Sequence, residues 1–117
     1  MSIDLNNLKI INDTQGHAAG DIAICTVTEV IQSNLIRNCF LYRTGGDEFM
    51  IFCFNKTYDE VNEMVKNIKT NMQQTPYICA MGIAFCTGMD DFDNICKLAD
   101  QIMYENKRKL KKSKDIR

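Results

Sequence analysis

A chain of 117 residues supports one core and one domain at most, and 45% hydrophobic with 25% charged residues is the composition of an ordinary globular protein. With 14 basic against 15 acidic residues the formal charge is -1, which argues against broad binding to nucleic-acid phosphates. No apolar run approaches the ~18 residues of a membrane helix and no basic-then-apolar leader opens the chain. A cytoplasmic location is therefore expected, with membrane attachment of a longer protein left open.

In chain order, Ser2-Ile3-Asp4-Leu5 reads as a very short strand, and Leu8, Ile10 and Ile11 mark a short helix from Asn7 to Asp13 that Gly16 ends. Ile24, Val27, Ile31 and Leu35 share one face of a second helix, from Asp21 to about Ile36. Phe40–Thr44 and Glu48–Phe54 are aromatic and β-branched runs joined through Gly45-Gly46, which predicts a hairpin with a tight turn. Because Phe49 to Phe54 is continuously apolar, that strand is expected to be central and covered on both faces. A third helix spans Asp59–Met72 on Val61, Met64, Val65 and Ile68, and Pro76 follows it. Tyr77–Cys86 reads as a buried strand, Gly88 as a turn, and 92–109 as a last amphipathic helix on Ile95, Leu98, Ile102 and Met103.

Cys25, Cys39, Cys53, Cys79, Cys86 and Cys96 contain no C-x-x-C pair and are expected to be small buried hydrophobes in a reducing compartment. His17 is the only histidine and lies far from every cysteine, so a zinc site is not expected.

The β-α-β-β-α-β order predicts an α+β fold, a ferredoxin-like antiparallel sheet with helices packed on it. There the first and third strands are antiparallel neighbours, so Asp4 converges with Asp47 and Glu48 at one sheet edge. Clustered carboxylates repel unless protonated or bridged by a cation, and hard oxygens at an open rim suit Mg²⁺ or Mn²⁺. Read without further context, G-G-D is equally a turn with Asp47 completing it and Glu48 in water.

Three separated motifs then occur in order: D-L-N-N-L-K-I-I-N-D-T-Q-G-H-A-A-G-D at 4–21, R-T-G-G-D-E-F at 43–49 and A-D-Q-I-M-Y-E-N-K at 99–107. Together they resemble the GGDEF family, the diguanylate cyclase domains, over nearly the whole chain. The resemblance implies condensation of two GTP into cyclic di-GMP with release of pyrophosphate, one GTP per domain and a homodimer of facing domains. It implies metal held by Asp4, Asp47, Glu48 and the Leu5 carbonyl, Asp47 and Glu48 as the catalytic pair, and Glu48 as the group that helps deprotonate the 3'-hydroxyl. Asn12 and Asp21 match guanine-reading positions, although Asp21 is also a natural N-cap and Asn12 a natural helix-end residue. Lys9, Lys107 and Lys111 match phosphate contacts, with cations at a helix C-terminus as the other reading. Gly45 and Gly46 would let a nucleotide lie against bare backbone.

His17 reads as a loop-shaping hydrogen-bonder. Ile36 and Cys39 stand where many relatives carry an inhibitory R-x-x-D product site, so no such site is expected. Asn6 and Leu8 replace a usual Asp and Phe. The helix and D-x-L-T-x-L-x-N-R motif that precede the family's first strand have no counterpart, which implies one GGDEF domain over 1–117 without its N-terminal helical segment, driven in the full-length protein by an upstream sensory or receiver domain. A catalytically inactive GGDEF module that binds GTP or a protein partner is the alternative. A ferredoxin-like RNA-binding module fits poorly with the charge and with the absence of an aromatic RNP-type strand pattern.

Overall fold

The alternation of buried positions along each strand decides which side chains meet which layer. In the computed structural model, which describes residues 1–85 and 92–115 (side chains to 110), the order is β1 (Ser2–Leu5), α1 (Leu8–Gln15), α2 (His17–Asn34), β2 (Cys39–Arg43), β3 (Glu48–Cys53), α3 (Tyr58–Met72), β4 (Cys79–Gly82) and α4 (Phe92–Asp115). The sheet runs β2-β3-β1-β4 with every pairing antiparallel. This is the expected ferredoxin-like topology, with β1 and β3 as central neighbours in the register Asp4↔Glu48.

One face of the sheet presents Ile3, Leu5, Phe49 and Ile51 to Ala23, Val27 and Ile31 of α2 and to Val61, Met64, Val65 and Ile68 of α3. Each large side chain buried there contributes ~1.5–3 kcal/mol relative to exposure. A reciprocal capping box starts α3: Thr57 Oγ1 accepts from the Glu60 N–H, and Glu60 Oε1 from the Thr57 N–H.

The other face carries α4 across β4 and β1. Contact is close because Gly82 has no side chain: a Cβ there would lie 2.3 Å from the Ala99 carbonyl oxygen and 2.3 Å from the Met103 nitrogen. Ser2 Oγ donates to Asp100 Oδ1 at 2.5 Å, and the Met81 N–H to Asn106 Oδ1 at 3.0 Å. The β2–β3 half of this face stays open, leaving Phe40, Tyr42 and Phe54 exposed.

Several expectations need correction. The strand β3 is central but not sealed on both faces: only Phe49 and Ile51 are buried, because α4 covers the other half of the sheet. Its alternation is hidden in sequence by apolar residues on both sides. Strand β2 ends at Arg43, one residue before the expected Thr44, so the hairpin closes through the four residues Thr44 to Asp47. The second helix begins at His17 with Gly16 as N-cap, so Asp21 is no cap, and α1 continues past Asn12, which is not a helix-end residue. β4 is shorter than 77–86, while residues 86–91, with Cys86 and the Gly88 turn, lie outside the described residues. Cys25 is exposed and Cys39 buried, with Cys53, Cys79 and Cys96 half-buried. Burial pushes the Cys53 and Cys79 thiols up to about 12, which keeps both protonated and unreactive at neutral pH.

Candidate active site

At the end of β1 the strand alternation turns Asp4 to the face covered by α4, because Ile3 and Leu5 on either side are claimed by the core on the opposite face. The Asp4 side chain is 2% exposed. Across the strand pair stands Glu48, and the Leu5 N–H bonds the Asp47 carbonyl at 2.8 Å, which fastens the hairpin loop to β1. The structure thus brings Asp4, Asp47 and Glu48 together from positions more than forty residues apart.

A cation meets them. Lys107 of α4 places Nζ 2.5 Å from Asp4 Oδ2, with its own side chain 28% exposed. Among the described residues the second carboxylate oxygen, Asp4 Oδ1, is buried with no hydrogen-bond partner, as is Asn6 Oδ1 just beyond the strand. Burial pushes the Asp4 carboxyl above its ordinary range; the Lys107 hydrogen bond pulls against this and the neighbouring Asp47 charge adds to it. Glu48 is also raised, by burial first and then by the charges of Asp4, Asp47 and Asp100. Lys107 is held above its usual value by the Asp4 hydrogen bond. Three carboxylates outnumber one ammonium here, and the local field favours another positive charge. Among the described residues no three His, Cys, Asp or Glu side chains are already gathered tightly enough to ligate a metal.

The loop between β2 and β3 is tied by the last residue of β2. Arg43 donates through Nε to the Gly45 carbonyl at 3.1 Å and through its terminal nitrogen to the Gly46 carbonyl at 2.6 Å. Gly45 and Gly46 are exposed, and neither has positive φ; a side chain would make only ordinary contact with Glu48 at Gly45 and would meet nothing within 4 Å at Gly46. Nothing inside the chain requires glycine at either position.

The helix α1 leaves directly from the acidic end of β1. It carries Lys9, exposed in its first turn, and Asn12, half-buried. Asn12 lies over the backbone of Gly20, where an added Cβ would fall 1.7 Å from its Oδ1. Asp21, the next residue along α2, is exposed. His17 is exposed at the start of α2. Lys111 lies on α4 one turn beyond Lys107, and its side chain is outside the described ones. Ile36 and Cys39 are half-buried and buried apolar positions.

Three contributors were not singled out from sequence: Arg43 as the loop's clamp, Gly20 as the seat for Asn12, and Gly82 as the seat for α4. Arg43 and Gly20 stood inside quoted motifs, so the signal was present; Gly82 sits in an apolar run and only the fold reveals its neighbour. The cavity of about 470 Å³ at the opposite end of β3, lined by Phe52, Cys53, Phe92 and Ile95, holds none of the candidate residues.

Comparison with known proteins follows the same geometry. Residues 1–113 match the family described as diguanylate cyclase, GGDEF domain. A diguanylate cyclase of Vibrio cholerae serotype O1 is 31% identical over 116 residues, covering 92% of this chain and 36% of the relative, so the chain spans about a third of that protein. The structure of the active GGEEF domain of a diguanylate cyclase from Vibrio cholerae superposes with a TM-score of 0.81 at 29% identity, covering 92% of this chain and 74% of that one. The GGDEF domain of DgcB from Caulobacter crescentus, solved in complex with c-di-GMP, gives 0.82 at 26% identity with 92% and 70% covered. The sheet order, the acids on β1 and at the β2–β3 loop, and these matches have one explanation: the chain belongs to the GGDEF family of diguanylate cyclase domains.

Proposed function

We propose that this chain is a catalytic domain that condenses two GTP into cyclic di-GMP, each domain holding one GTP and two domains meeting face to face. The observation that carries this reading is the convergence of Asp4, Asp47, Glu48 and Lys107 at one rim, with Asp4 Oδ1 buried and unpartnered. An all-oxygen donor set of carboxylates fits Mg²⁺ or Mn²⁺ and not zinc, so Asp4, Asp47 and Glu48, helped by the Leu5 carbonyl, would hold the cation. When bound it supplies positive charge where the leaving pyrophosphate becomes more negative.

The chain's own groups do the rest. Glu48, raised by burial and neighbouring acids, is suited to take the proton of a 3'-hydroxyl. That oxygen bonds the α-phosphorus of the facing GTP as the bond to the pyrophosphate oxygen breaks; two such steps yield one cyclic di-GMP and two pyrophosphates. Lys9, Lys107 and Lys111 contact phosphates, and Gly45 and Gly46 leave backbone free for the triphosphate. Asp21 accepts the two N–H donors of guanine's Watson–Crick edge while Asn12 supplies donor and acceptor, a pattern adenine does not match. With apolar Ile36 and Cys39 at the usual inhibitory position, product inhibition there is not expected. An upstream sensory or receiver domain in the full-length protein would supply the input. No described helix is long and apolar enough to cross a membrane.

Incubation with GTP and Mg²⁺ or Mn²⁺, followed by chromatography of the products, tests the reading. Cyclic di-GMP should form, and Glu48→Gln should slow it by about a hundredfold or more. Tight GTP binding without product at high protein concentration would instead identify a silent binding module.

A further inference from the structure

Resting on that reading, we propose that Lys107 is a stand-in cation: its ammonium neutralises Asp4 in the ligand-free chain and transfers to the triphosphate when a divalent cation takes Asp4, so that metal and nucleotide are captured together. Three observations lead to it. First, Lys107 Nζ lies 2.5 Å from Asp4 Oδ2, the same carboxylate that a divalent cation needs. An ammonium and a divalent cation on one carboxylate repel each other strongly, so one must give way. Second, Asp4 is buried and its Oδ1 has no partner, so the lysine is the side-chain charge keeping this carboxylate compensated, and it leaves half the carboxylate's accepting capacity unused. Third, the helix that bears Lys107 is pinned in the two turns that lead up to it.

Pinning limits what can move. The preceding residue, Asn106, holds the Met81 N–H, and the backbone at Ala99 and Met103 rests on Gly82. α4 is therefore fixed on β4, whereas the Lys107 side chain is 28% exposed and is the part that can turn away from Asp4. Exchange needs only rotation of a flexible four-carbon stem, with no motion of the helix. The energetic consequence has a sign. Metal alone must displace Lys107 and leave its charge facing the cation. Metal with a triphosphate gives that charge a new partner. Lys107 thus weakens binding of the bare ion and strengthens binding of the metal–nucleotide pair.

The test uses the whole chain and two titrations. Free Mn²⁺ is counted by electron paramagnetic resonance without nucleotide, and GTP affinity is measured at saturating Mn²⁺ by calorimetry, for wild type, Lys107→Met and Lys107→Gln. The glutamine variant keeps a donor for Asp4 and guards against loss of folding in the methionine variant. Both variants should bind Mn²⁺ alone about tenfold more tightly and GTP about tenfold more weakly. Thermal stability in chelator should fall for Lys107→Met and return on adding Mn²⁺. Mn²⁺ affinity unchanged or weakened in both variants overturns the proposal, as does a failure of all three proteins to bind Mn²⁺ even with GTP present. Tighter Mn²⁺ with GTP bound no better than ATP would sustain the exchange and sink the GTP reading.

Discussion

Glu48 sits where burial and three other carboxylates all oppose its ionisation. Its folded-state pKa is raised, so its contribution to stability is full below the ordinary carboxylate range and is lost as pH rises through the raised value. Glu48→Gln should therefore raise the melting temperature of the metal-free chain at pH 7, and the gain should fade toward about pH 3, below the ordinary carboxylate range, where wild-type Glu48 is protonated in both states. A pair of calorimetric scans at the two pH values decides it; a gain that is equal at both, or larger in acid, would contradict the assignment. Saturating Mn²⁺ should shrink the difference at pH 7, since the cation offsets the repulsion that the substitution removes. Asp4 shifts in the same direction even with Lys107 against it, which shows how strongly burial at β1 penalises charge.

Among the elements, α4 matters most to the site because it carries Lys107, and Gly82 decides where it sits. Gly82→Ala would drive a methyl group into the backbone at Ala99 and Met103, where no side chain can rotate away. Overpacking of this kind costs about 1–3 kcal/mol, and here it would also lift Lys107 away from Asp4. Chemical denaturation should report the loss of stability, and the Lys107 contribution to GTP affinity should fall with it; a variant with wild-type stability would show that the sheet and helix have room to part. This contact marks a limit of sequence reading. Helices α3 and α4 were legible from the spacing of Val61, Met64, Val65 and Ile68 and of Ile95, Ile102 and Met103, because one-sided burial at helical period leaves that trace, although Leu98, expected on the same face, is exposed and Ala99 is buried there instead. The meeting of Asp4 with Glu48 was legible too, since strand order alone brings the ends together. Gly82 was not, because its reason lies in a partner seventeen residues away, and the half-open state of β3 was concealed by apolar side chains on both faces. Gly16 marks the end of α1 in sequence as in the fold, but α2 starts four residues before Asp21, which imitates a cap, while the T-Y-D-E capping box at Thr57 was a legible signal for α3.

At the scale of the molecule, the sheet is covered fully on one side and by half on the other. Phe40 and Tyr42 project from β2, the outermost strand, at 49% and 54% exposure, with Phe54 at 55% beside Phe40. An edge strand with unpaired backbone groups and an aromatic strip is a template for unplanned strand pairing between copies. Tyr42→Lys, which keeps the strand and charges its edge, should lower light scattering at high protein concentration without altering the melting temperature by more than a degree or two. Scattering unchanged by the substitution would locate any self-association elsewhere. The consequence reaches past shelf life. A reaction between two facing domains speeds up as copies become more concentrated, yet the same concentration feeds a colloidal side-branch in which copies are lost edge to edge. If the proposed pairing of domains holds, specific activity plotted against dilution should pass through a maximum whose position is set jointly by productive pairing and by loss at the edge strand.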